Sequence, residues 1–158
     1  MDIFYYKKEK ETDYYIKKSL ESLGKDTRIT RKMGKPYAKD SFVGVTHTDD
    51  CILIAVEDFN FGIDCENKSR VVENRKKIAN RYFSENEREY IMEDNSRFLE
   101  IWVKKEAYVK YTGEGLGGMS KVDVLKVDGY FTKVELKDNL IYIYSDRAVV
   151  GDIHESPL

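Results

Sequence analysis

The sequence predicts an α+β fold with mostly antiparallel strands, and three observations carry that prediction. Strand-like runs open the chain and return near its end. A helical stretch separates the two groups. Short polar turns such as Thr48-Asp49-Asp50, Asp128-Gly129 and Asp138-Asn139 join neighbouring strands, as hairpins require. Strands, then helices, then strands again is the order of an α+β domain rather than of alternating βαβ units.

Asp2–Tyr6 reads as a short strand. Residues 13–23, DYYIKKSLESL, place Tyr15 or Ile16, Leu20 and Leu23 at helical spacing, and Gly24 ends the helix. Residues 25–41 read as basic and turn-like, around Gly34-Lys35-Pro36. Ser41–His47 and Cys51–Glu57 form a hairpin, and Phe61–Glu66 is a further strand. Val71–Tyr82 reads as a helix with a basic outer side. Ser84 and Glu87 fit a capping box for a helix through Met92. Asp94-Asn95-Ser96 caps a long helix on which Phe98, Ile101, Trp102 and Val109 recur, with Gly113 and Gly115 as its stop. Strands follow at Val122–Val127, Tyr130–Leu136 and Leu140–Tyr144, and the tail GDIHESPL reads as polar with His154 exposed.

With 158 residues, 41% of them hydrophobic and 35% charged, the chain is one globular domain with a core of its own. No apolar run approaches the roughly 20 residues of a membrane helix, and nothing points to a nucleic-acid partner. The start MDIFYYKKEKE has no apolar signal core, so a cytoplasmic location is expected. Cys51 and Cys65 belong to no CxxC motif and read as reduced, buried thiols. Charge is distributed unevenly. Lys17–Lys39 holds eight basic residues against Glu21 and Asp26, a balance of +6, and Lys68–Arg81 holds six against Glu73, a balance of +5. Such segments suit either a solvated helix face or an anionic partner, whether phosphate or an acidic protein.

Three groups of residues carry candidate chemistry. On the long helix Trp102, Glu106 and Lys110 are four apart and share one side, with a plain surface ion pair as the alternative. Asp64 and Glu66 alternate on one face of a strand, where two like charges suit a hard divalent ion, although an exposed strand face would also produce that spacing. Thr46 and His47 lie at the turn end of the hairpin, where both can donate hydrogen bonds to a phosphate.

Taken in order, these parts resemble the 4′-phosphopantetheinyl transferase superfamily. The matching residues are Gly34-Lys35-Pro36, Thr46-His47-Thr48 and Gly62-Ile63-Asp64-Cys65-Glu66. They continue with Phe83-Ser84-x-x-Glu87, Trp102-x-x-Lys105-Glu106-Ala107-x-x-Lys110 and Gly113-x-Gly115-Leu116. Motifs ahead of the metal strand resemble the surfactin-synthetase type, with two pseudo-repeated α+β halves clasping coenzyme A. By that analogy residues 1–57 are a shortened first half and residues 58–158 the second. The resemblance implies Mg²⁺ on Asp64, Glu66 and Glu106, and catalysis by Glu106, Lys110 and His47. It places coenzyme A against Lys35, Pro36, Thr46, His47 and Lys110. It also implies transfer of the phosphopantetheine arm to an apo acyl or peptidyl carrier protein with an acidic surface, by a monomer or homodimer. Thr46-His47-Thr48 stands where the family usually has Ser-His-Ser, and Tyr14, Tyr15, Lys17 and Lys18 stand where an arginine-containing helix is common. Two alternatives stay open: a relative that binds coenzyme A or a carrier without turnover, and a Mg²⁺-dependent phosphodiesterase using the same carboxylates.

Overall fold

The run Cys51–Val56 is buried at every position, and its alternation decides how the layers stack. Cys51, Leu53 and Ala55 join one core cluster with Ile63, Cys65, Ile141 and Ile143. Ile52, Ile54 and Val56 point the other way, onto Tyr15, Ile16 and Leu20. Leu140 and Tyr142 alternate in the same manner, leaving the central cluster to pack with Phe98, Leu99, Ile101 and Val103. The result is two sheets face to face, each covered on its outside by helices.

The computed structural model describes residues 1–155. Its elements are β1 (Asp2–Lys7), α1 (Thr12–Ser22), β2 (Thr30–Lys32), β3 (Lys35–Ala38), β4 (Ser41–His47), β5 (Cys51–Glu57) and β6 (Gly62–Asn67). They continue with α2 (Arg75–Tyr82), α3 (Glu85–Ile91), α4 (Asn95–Thr112), α5 (Leu116–Met119), β7 (Tyr130–Leu136), β8 (Asn139–Ser145) and β9 (Asp152–Glu155). One sheet has the order β2-β3-β4-β5-β1-β9 and the other β6-β8-β7. Every pairing is antiparallel except β1 with β9. The expected pseudo-repeat is visible in the pairing. β1 pairs with β5 and β5 with β4, just as β6 pairs with β8 and β8 with β7, with α1 and α4 following β1 and β6 respectively.

Local chemistry fixes the helix ends. Ser84 accepts from the Glu87 amide at 3.1 Å while Glu87 Oε2 accepts from the Ser84 amide at 2.7 Å, which completes the capping box of α3. Asp94 accepts from the Ser96 and Arg97 amides and starts α4. Gly113, at φ 79°, ends it.

The structure departs from the sequence reading in four places. Residues 30–38 are the β2–β3 hairpin rather than a turn-like loop. The helix expected from Val71 begins only at Arg75. Val122–Val127 is not a strand. Its backbone polar groups go to helix side chains instead, the Val124 amide to Glu87 at 2.7 Å and the Val122 carbonyl to Lys105 at 2.5 Å. The polar tail forms β9 against β1, so the chain returns to the first sheet after the second is complete. His154 is exposed as expected, yet it stacks on Phe4 at 4.7 Å and pairs with Asp2 at 2.8 Å. Residues 156–158 of that tail lie outside the described residues. Cys51 and Cys65 are free and buried. Among the described residues, no helix is long and apolar enough to cross a membrane.

Candidate active site

Gly62 sets the geometry of the site. A Cβ there would stand 1.8 Å from the Ala107 carbonyl oxygen and 2.6 Å from the Tyr111 amide, so α4 lies directly against β6. That approach brings the last two turns of α4 beside Asp64. Lys110 Nζ donates to Asp64 Oδ1 at 2.7 Å and reaches the Val45 carbonyl at 3.4 Å. Trp102, Glu106 and Lys110 share the expected side of the helix and line one cleft with Thr46, His47, Asp64 and Glu66. Strand, hairpin end and helix thus meet at one place.

The cleft has two compartments that share Glu106 and Lys110. One, of about 530 Å³, is walled mainly by apolar residues including Pro36, Val43, Phe61, Ile63 and Val109. The other, of about 1010 Å³, is polar and carries Asp49, Asp50, Asp64, Glu66 and Glu106 against Arg31, Arg70 and Lys110. Five carboxylates facing three fixed cations leave this compartment negative. Burial raises Glu106 above the ordinary carboxylate range, the Asp64 charge adds to this, and Lys110 offsets part of it.

The individual side chains behave differently. His47 is exposed at the end of β4, on the rim of the polar compartment. Thr46 is buried, and its hydroxyl donates to Asp64 Oδ1 at 3.1 Å while accepting from the Cys65 amide at 3.1 Å. Its hydroxyl thus holds Asp64 in place. Pro36 is buried and borders both compartments. Lys35 is turned inward, its Nζ on Asn60 Oδ1 and the Phe61 carbonyl, each at 2.8 Å.

Asp64, Glu66 and Glu106 form an all-oxygen donor set on one cleft, which is the ligand chemistry of a hard divalent ion. The like-charge crowding at Glu106 is what a cation would relieve. In the structure Asp64 is paired with Lys110 and Glu66 with Arg70, and among the described residues no three such side chains are gathered into a ready metal cluster. The donor set fits. The cations now beside it are Lys110 and Arg70.

Sequence reading named Lys105 within a motif but gave it no role. It is fully buried and donates to Glu87 at 2.9 Å, to the Met119 carbonyl at 2.8 Å and to the Val122 carbonyl. Burial lowers its affinity for a proton, and Glu87 opposes that shift. The signal was present, because Lys105 lies on the same helical stripe as Phe98, Ile101 and Val109. Asn60, Arg70, Asp49 and Asp50 were likewise given no role in the cleft, and no motif marks them.

The cleft thus brings carboxylates from β6 and α4 against a lysine of α4. The sequence profile of the 4′-phosphopantetheinyl transferase superfamily matches residues 60–144, which runs from the entry of β6 into β8. The chain belongs to that superfamily. It is 35% identical over 89 residues to 4′-phosphopantetheinyl transferase gsp of Aneurinibacillus migulanus, a match covering 52% of this chain and 36% of the relative. It is 32% identical over 113 residues to 4′-phosphopantetheinyl transferase psf-1 of Bacillus pumilus, covering 65% of this chain and 47% of that relative. The matched regions thus take in less than half the length of either relative.

Proposed function

We propose that the protein transfers the 4′-phosphopantetheine arm of coenzyme A to a serine of an apo acyl or peptidyl carrier protein. The supporting observation is the approach of α4 to β6 at Gly62, which sets Glu106 and Lys110 beside Asp64 in a cleft between two halves. On this reading residues 1–57 and 58–158 act together as one cytoplasmic unit, monomeric or homodimeric.

The serine oxygen attacks the phosphorus that bears the pantetheine arm. A new P–O bond forms, the pyrophosphate P–O bond breaks, and adenosine 3′,5′-bisphosphate leaves. Glu106 takes the serine proton, directly or through a water. Lys110 neutralises the leaving phosphate. His47, exposed at the rim, contacts a coenzyme phosphate, and Pro36 packs near the nucleotide. Phosphoryl transfer asks mainly for positioning and charge neutralisation. An anionic pyrophosphate entering a compartment with five carboxylates needs added positive charge. Asp64, Glu66 and Glu106 would hold Mg²⁺, which supplies that charge.

The carrier is proposed to dock on α2. Arg75, Lys76, Lys77 and Arg81 stand there with no acidic residue in the helix, and Ser69 and Arg70 just before it reach the polar compartment. Carrier proteins with acidic surfaces complement that charge.

Intact-protein mass spectrometry of apo carriers incubated with the protein, coenzyme A and Mg²⁺ tests the proposal. A gain of one phosphopantetheine arm, lost with EDTA and in Glu106→Gln, is the expected result. Tight coenzyme A binding with no gain on any carrier would favour the reading of a relative that binds without turnover.

A further inference from the structure

Lys35 belongs to the first half of the chain, yet its ammonium is spent on the second. Its Nζ donates to Asn60 Oδ1 at 2.8 Å, to the Phe61 carbonyl at 2.8 Å and to the Lys110 carbonyl at 3.3 Å. Three donors thus meet three acceptors, none of them a carboxylate. Asn60 Nδ2 in turn donates to the Tyr111 carbonyl at 3.1 Å.

Those two carbonyls lie in the last turn of α4, which ends at Thr112. Carbonyls in a last turn lack partners within the helix, and that end of the helix dipole is negative, so a cation beside it is favoured. Lys35 and Asn60 therefore cap α4 from outside the helix, one from each side of the junction between halves. The capped turn carries Lys110, whose side chain holds Asp64. The cap is costly to maintain. The Phe61 ring lies 5.9 Å from the ammonium, and burial pulls Lys35 down to about 8. A lysine kept to meet a solvated phosphate would not need such surroundings.

We propose that Lys35 is a positioning residue: it locks the first half onto the last turn of α4 and so places Lys110 against Asp64, rather than lending its charge to the coenzyme. This rests on the transfer reading given above, and it assigns the Gly34-Lys35-Pro36 segment an architectural function in this chain.

The test compares Lys35→Met, Lys35→Arg and Asn60→Ala in steady-state transfer with coenzyme A and with 3′-dephospho-coenzyme A. Amide hydrogen exchange is followed at residues 110–113 in parallel. For Lys35→Met the expected outcome is a fall in kcat of about 10-fold or more, because misplacement by a fraction of an ångström is that expensive. KM for coenzyme A should stay within about 2-fold, and the preference for the 3′-phosphorylated coenzyme should be unchanged. Exchange at the last turn of α4 should accelerate. Lys35→Arg, which keeps the charge and donors, should recover part of kcat, and Asn60→Ala should shift kcat and exchange in the same direction by less. A rise in KM of about 10-fold at constant kcat, with the 3′-phosphate preference lost and exchange unchanged, would overturn the proposal by placing Lys35 on the coenzyme. If Lys35→Met does not fold, Asn60→Ala decides, since it removes half of the cap and keeps the lysine. If the wild-type protein modifies no carrier, the transfer reading fails by itself. The exchange data and calorimetric coenzyme A affinity of the same variants then still decide the cap: faster exchange at unchanged affinity upholds it, and weakened affinity at unchanged exchange sinks it.

Discussion

Of the lysine–carboxylate pairs on helix α4, two whose lysines lie five residues apart have opposite characters. Lys105 and Glu87 lie 2.9 Å apart with neither side chain exposed. Every donor of Lys105 is used, and Glu87 also accepts from the Ser84 and Val124 amides. Lys110 and Asp64 lie 2.7 Å apart, but Lys110 is 36% exposed and borders an open cleft. Beside them the Glu106 carboxylate makes no hydrogen bond among the described residues, although burial and Asp64 both press on its charge. The first pair is closed and can only hold the fold, tying α3, α4 and the segment 119–124 together. The second can exchange partners. Identical chemistry becomes architecture or a working site according to how much of its hydrogen bonding is already spent.

Breaking the closed pair should have the largest effect. Lys105→Met leaves Glu87 buried without its cation, and removing one partner of such a pair costs about 3–5 kcal/mol. Chemical denaturation of that variant should show the loss, and Lys105→Met with Glu87→Gln should recover much of it. A single variant as stable as wild type would erase the distinction between the pairs.

The open group should respond in activity instead. Glu106→Gln or Asp64→Ala should lower transfer by about 10²–10³, the usual cost of removing a charge-stabilising group, while circular dichroism stays native. Wild-type-like turnover in either variant would sink the site assignment. A smaller and more selective effect is expected on α2. Reversing Arg75, Lys76 and Lys77 to glutamate should raise KM for the carrier on the order of 10-fold and leave KM for coenzyme A nearly unchanged. Equal changes for both substrates would remove α2 as the docking surface.

Much of this was legible before any coordinates. The β-rich runs Ser41–His47 and Cys51–Glu57 told of a hairpin, and the spacing Trp102, Glu106, Lys110 told which residues share one side of α4. Gly62 could be read as a site of close approach, though only the structure shows that α4 is what approaches. The failures have physical causes. β2 and β9 are short, polar edge strands with every residue exposed, so no hydrophobic pattern announces them. Val122–Val127 is β-rich like a strand, but Glu87 and Lys105 take backbone bonds that a ladder would need. Sequence gives residue types, not which hydroxyl or ammonium is already committed. Hence the bonds that Thr46 and Lys35 make to the protein could not be read from their residue types.

The most direct test of the contrast along α4 is thermal denaturation of Glu106→Gln and Lys105→Met beside the wild type, from about pH 4 to about pH 8. A carboxylate raised in the folded state is protonated in both states at low pH. Its charge begins to cost stability as pH rises from the ordinary carboxylate range through the raised value. Glu106→Gln should therefore melt with the wild type near pH 4 and above it near pH 8, while Lys105→Met should melt about 10 °C lower. A Glu106→Gln variant that loses stability at neutral pH, or a Lys105→Met variant that loses none, would contradict the account.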